Sequence, residues 1–80
     1  MPFSSRDLLR ALHRAGFVEV RQVGSHRHLA KLLDDGTRLR VTLPMHRGDL
    51  RPGTVSSILR SARLTEDDVR RLLRREPTDG

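Results

Sequence analysis

Eighty residues with no cysteine and a net charge of +6 describe one small basic domain. They exclude a disulfide framework and any cysteine-ligated zinc ribbon or knuckle. No apolar run reaches membrane-spanning length and the N-terminus lacks a signal-peptide hydrophobic region, so a soluble, cytoplasmic chain is expected. The charge is uneven: residues 1–63 carry 12 basic against 5 acidic side chains, whereas 64–80 carry 4 against 5. All cations but Lys31 are arginine, whose planar fork suits phosphate and carboxylate. An isoelectric point near 11.6 makes a polyanion, nucleic acid first, the natural partner.

Phe3-Ser4-Ser5-Arg6-Asp7-Leu8 reads as a helix start. Ser4 caps the backbone amides, Asp7 completes a short capping box three residues on, and Phe3 staples onto Leu8. Leu8, Leu9, Leu12 and Ala15 form an apolar face, Arg6, Arg10 and Arg14 a basic stripe, and Gly16 ends the helix. His13 falls in the last turn, where the helix dipole favours a cation.

Phe17 to Val23 alternates and predicts a half-buried strand. A second strand spans His26 to Leu33, with Leu29 and Leu33 placed inward beside Arg27 and Lys31, leaving His26 and His28 on the open face. Asp34-Asp35-Gly36-Thr37 is hairpin-turn chemistry. Arg38 to Leu43 then alternates cleanly, Leu39, Val41 and Leu43 inward and Arg38, Arg40 and Thr42 outward. The open face of the sheet is thus expected to gather His26, His28, Arg38 and Arg40. Pro44 stops the sheet, and the loop from there to Gly53 leads to a helix beginning at Thr54, with Val55, Ile58, Leu59 and Ala62 on one face. A last, short helix covers about 65–75. Thr65 caps it, Asp68 completes the box, Leu64 staples to Val69, and residues 76–80 form a frayed tail. The core is expected over about 4–64, all within one domain of 1–80.

The chemistry centres on Gly24-Ser25-His26-Arg27-His28. Histidine is the side chain whose ordinary pKa lets it take and give a proton near neutrality, and two residues of spacing in a strand put His26 and His28 on one face. A metal site built from His13, His26, His28 and His46 lacks accompanying carboxylates or cysteines at ligand spacing, so no metal and no cofactor are expected. Two aromatic residues, Phe3 and Phe17, are too few for a base-stacking platform.

Helix, three antiparallel strands, helix, helix is an α+β order of the double-stranded-RNA-binding type. Within it, Ala15-Gly16-Phe17, Gly24-Ser25-His26, Pro44-Met45-His46, Asp49-Leu50 and Gly53-Thr54 before Ile58-Leu59 resemble the HicA family of bacterial and archaeal toxins, from about Arg6 to Leu64. The chain departs from the family with Phe17 in place of the usual tryptophan, Leu29 in place of a frequent aromatic, and Arg63 in place of a helix-ending glycine.

The resemblance implies a metal-independent endoribonuclease, an mRNA interferase of a toxin–antitoxin system, held in check by a HicB-type antitoxin that covers the active site. It makes a single histidine, His26, the catalytic general acid/base, and leaves His28 either a second proton carrier or a surface histidine. Gly24, Ser25, Arg27, His28, Lys31, Arg38 and Arg40 become candidates for binding the RNA substrate, with only some of the cations able to reach it. His46 matches a family position, and its other reading is a loop anchor. Two further classes stay open: a non-catalytic basic RNA-binding module of the same fold, and an interaction protein whose basic face is filled by an acidic partner.

Overall fold

The computed structural model describes residues 3–74. The order is α1 (Ser5–Arg14), β1 (Val18–Val23), β2 (His26–Leu32), β3 (Arg38–Pro44), α2 (Pro52–Ala62) and α3 (Glu66–Arg74). The strands form an antiparallel meander, β1-β2-β3. Helices α1 and α2 lie over β3, and α3 packs on α1. This is the α+β arrangement of the double-stranded-RNA-binding type that the element order predicts.

Local sequence signals set both ends of α1. The Asp7 amide donates to Ser4 Oγ at 3.0 Å, and the Ser4 amide donates to Asp7 Oδ2 at 3.1 Å, a reciprocal capping box. Phe3 and Leu8 share the core, as a staple requires. After the C-cap at Ala15, Gly16 takes φ +102°, the left-handed turn that carries Phe17 into the core. α3 opens with the same device: Thr65 and Asp68 exchange amide-to-side-chain hydrogen bonds of 2.9 and 3.0 Å. Hydrogen bonds to the carboxylate from the Thr65 amide first, then the Thr65 hydroxyl and Arg71, hold the Asp68 carboxyl below its ordinary range. The cap's stabilisation is therefore complete above the unfolded carboxyl value of about 3.9 and fades as pH falls through the lower folded value. Val69 is wholly buried, while Leu72 and Leu73 pack partly against the core. The helix is described to Arg74, and the expected frayed tail lies outside the described residues.

α2 starts at Pro52, two residues before the predicted Thr54. Proline at the first helical position needs no amide partner and already has a helical φ, so the helix begins there. Its end is unusual. Arg63 has φ 57° and ψ 42°, the one described non-glycine residue in the left-handed region. The Leu64 amide still reaches Leu59 O at 2.9 Å, so the termination is that of a glycine-capped helix carried by an arginine. A side chain there costs about 1–2 kcal/mol. Arg63→Gly, which gives back part of that gain through a freer unfolded chain, is expected to stabilise the domain by up to about 1 kcal/mol. A calorimetric melting midpoint raised by a few degrees checks it.

The core lies between β3 with the inward side of β2 and the helices. Leu29, Leu39, Val41 and Leu43 are buried from the sheet, and Leu8, Leu12, Ile58 and Leu59 from the helices. β1 corrects the expectation of a half-buried strand: all six of its residues are exposed. The two covering helices ride on β3, at the far side of the sheet, and among the described residues no helix packs substantially on β1. Its valines, with Leu32, instead remain on the open surface, Leu32 at 72% exposure.

A candidate active site on the open face of the sheet

The turn joining β1 to β2 has only Gly24 and Ser25 between the paired residues Val23 and His26. Gly24 has φ +58°, whereas Ser25 does not enter the positive region, the pattern of a two-residue type II′ hairpin. Glycine is required by that backbone rather than by crowding, since open space surrounds the position of a Cβ. The Met45 amide donates to Ser25 O at 2.7 Å, and His26 pairs with Pro44. The histidine therefore stands where the hairpin tip is tied to the end of β3, and it is exposed.

The tie extends to α1. Ser5 is buried, its hydroxyl donates to Pro44 O at 2.7 Å, and Ser5 Oγ in turn accepts from the His46 amide at 3.3 Å. The Leu50 amide donates to Phe3 O at 2.9 Å. His46 Nδ1 donates to Arg47 O at 2.9 Å. The backbone amide of His46 thus ties the loop to α1 while its ring bonds only within the loop, and Ser5, which the sequence presents only as the residue beside a cap, proves to clamp the loop. Ser5→Val leaves Pro44 O and the His46 amide short of a partner, a loss on the order of 1–3 kcal/mol. Its expected signature is faster amide exchange at Met45 and His46 than elsewhere.

Register decides which candidate residues share a face. β2 pairs with β3 as His28↔Thr42, Ala30↔Arg40 and Leu32↔Arg38. The open face therefore carries His26, His28, Arg38 and Arg40 together, as the alternation predicts. Arg27 and Lys31 point to the other side. Arg27 Nη1 donates to Glu19 Oε1 at 2.7 Å, and Lys31 Nζ lies 6.0 Å from the centre of the Phe17 ring. These two cations belong to the helix-covered face, and the structure does not bring them to His26. Of the α1 stripe, Arg6 and Arg10 are exposed, whereas Arg14 Nη1 donates to Leu72 O at 2.6 Å and Leu73 O at 3.2 Å, closing the end of α3.

A groove of about 500 Å3 crosses the open face, walled by Val20, Arg21, His28, Arg38, Arg40 and Thr42. Small Ala30 leaves room at its floor. Arg21 is the cation missing from the sequence reading. The β1–β2 register shifts between Glu19 and Arg21, so Arg21 pairs with His28 rather than with Arg27. The sequence carries a trace of it: Val18 and Val20 fall in one phase of the alternation and Val23 in the other, which an inserted residue between them reconciles. His28 Nδ1 lies 3.2 Å from Thr42 Oγ1 across the sheet. Among the described residues, no three histidines or carboxylates stand close enough to hold a metal ion, and no helix is long and apolar enough to cross a membrane.

A small basic α+β domain with an exposed histidine and arginines on one uncovered sheet face defines a class suited to polyanions. The family model for the HicA toxin of bacterial toxin–antitoxin systems matches residues 5–64, and the chain belongs to that family. No curated protein matches the chain. Membership makes it the toxin of a toxin–antitoxin pair and implies an antitoxin partner. Helix α3 lies beyond the matched residues.

Proposed function

We propose that the chain is a metal-independent endoribonuclease that cleaves mRNA, with His26 as the general acid/base, and that a HicB-type antitoxin inhibits it in the cytoplasm. The observation that carries this reading is the exposed His26 on the same open face as Arg21, Arg38 and Arg40. RNA supplies its own nucleophile, the 2′-hydroxyl beside each phosphate. The protein has then to remove one proton and steady the added negative charge on phosphorus, which a histidine and positioned cations do. Gly24 and Ser25 set the histidine at the hairpin tip, with the Ser25 hydroxyl in reach of a phosphate oxygen approaching that tip.

Purified protein is expected to cut RNA in the presence of EDTA and to leave 2′,3′-cyclic phosphate and 5′-hydroxyl ends. Chelator-sensitive cleavage with 3′-hydroxyl ends contradicts the reading, because metal-activated water leaves such products. RNA that is bound but never cut assigns the chain to the non-catalytic module instead. The basic face makes a separate prediction. Affinity for uncleavable 2′-deoxy RNA analogue is expected to fall steeply with salt, and Arg40→Ala to lower both the affinity and the slope of log K against log salt, by about one unit for one lost phosphate contact. An affinity indifferent to salt returns these arginines to plain solvation. Finally, an antitoxin that binds only the folded toxin raises its melting temperature by mass action. Co-expression with the adjacent open reading frame is expected to yield a co-purifying, thermally stabilised complex.

A further inference from the structure

The groove and the histidine of the Gly-Ser-His motif do not coincide. The walls of the groove include His28, not His26. His28 is half-buried where His26 is exposed. It is also the one with a cross-strand hydrogen-bond partner, Thr42 Oγ1 at 3.2 Å from its Nδ1. A ring held at Nδ1 leaves Nε2, on its other side, for a ligand.

We propose that His28 is a second proton carrier: it protonates the departing 5′-oxygen while His26 removes the proton from the 2′-hydroxyl. This rests on the ribonuclease reading above and adds a catalytic residue to it. The step balances. The 2′-hydroxyl proton passes to His26, a bond forms between the 2′-oxygen and phosphorus, the phosphorus–5′-oxygen bond breaks, and the 5′-oxygen takes the Nε2 proton of His28. One proton enters the protein and one leaves it. An imidazolium donates from both nitrogens, so Nδ1–H rests on Thr42 Oγ1 while Nε2–H faces the substrate. After transfer the neutral ring keeps its Nδ1 proton, and the bond to Thr42 survives the step.

The spacing suits the division of labour. Two residues of strand separate the histidines by about 7 Å. An in-line displacement places the attacking and leaving oxygens on opposite sides of phosphorus. Base and acid must therefore stand apart, each about 3 Å from its own oxygen. Two histidines on one strand face straddle a phosphate in this way. Among the described residues, the charged groups around His28 are Arg21 on β1, Arg38 and Arg40 on β3, and His26 along β2, and no carboxylate lines the groove. The arginines thus face the phosphate and the charge it gains, and Thr42 orients the ring.

The test varies the leaving group. Two oligoribonucleotides of one sequence are compared, one with the ordinary 5′-oxygen at a mapped cut and the other with a bridging 5′-sulfur, which departs as thiolate without needing a proton. Folded His28→Ala, and His28→Gln as its less disruptive counterpart, are expected to cut the oxygen substrate about 10²- to 10⁴-fold more slowly than wild type and the sulfur substrate at close to the wild-type rate. His26→Ala is expected to stay slow on both. Thr42→Val is expected to show a smaller loss on oxygen, again recovered on sulfur. His28 variants as fast as wild type on oxygen, or slowed equally on both substrates as a lost binding contact would be, overturn the proposal. A wild-type protein that cuts neither substrate overturns the ribonuclease reading with it.

Discussion

His26→Ala is expected to fold, to bind RNA, and to lose cleavage and toxicity together. The ring is exposed at the start of β2 and contributes no part of the core, so truncating it opens no cavity. Its neighbours keep their ties, since the Ser25 carbonyl and the pairing with Pro44 are backbone features. On the proposed mechanism, what disappears is the base. Proton transfer by a positioned histidine is worth roughly 10²–10⁴ in rate, so cleavage and the toxicity that depends on it are expected to fall together. Binding, carried by several arginines, changes far less. A binding module would show the reverse pattern, with affinity reduced and no catalytic step to lose. Circular dichroism, an affinity measurement and a cleavage assay on one preparation separate these outcomes.

The second large effect concerns stability and turns on the facing of β2. Leu29 and Leu32 are the same residue type in one strand, yet Leu29 is 1% exposed and Leu32 72% exposed. Leu29→Ala removes a buried side chain between the sheet and the helices, at a cost of about 2–5 kcal/mol. For a domain of this size the midpoint then falls by on the order of 10–30 °C. Total stability is itself only about 5–15 kcal/mol, so the variant sits close to unfolding. Leu32→Ala is expected to stay within about 0.5 kcal/mol of wild type. Equal losses at the two sites would mean that the open face is covered, and the groove with it.

That contrast also marks where the sequence is informative. The capping boxes at Ser4/Asp7 and Thr65/Asp68 were legible because a cap is a contact between residues three apart. β3 was legible because Leu39, Val41 and Leu43 alternate without exception, and pairing through the Asp34–Thr37 turn transmits that facing to β2. β2 alone is ambiguous, since Leu29 and Leu33 compete with Ala30 and Leu32 for the inward side. Arg27 and Lys31 follow Leu29 away from His26, a consequence of facing that their charge cannot reveal. Exposure of β1 depends on which strand the helices choose to cover, and alternation within β1 says nothing of that. Arg21 was missed for a subtler reason. A one-residue bulge reverses the facing of every later side chain in the strand, and it shows only as the change of phase between Val20 and Val23. Ser5 became visible only when residues 39 and 41 positions away in sequence closed on it.

On the proposed mechanism, RNA provides the nucleophile and His26 removes its proton. This is tested most directly with an oligoribonucleotide carrying one 2′-deoxy residue at a mapped cut site. Wild-type protein is expected to leave that position intact while cutting the same sequence with the hydroxyl restored. Cleavage at the deoxy position at an undiminished rate would contradict the account.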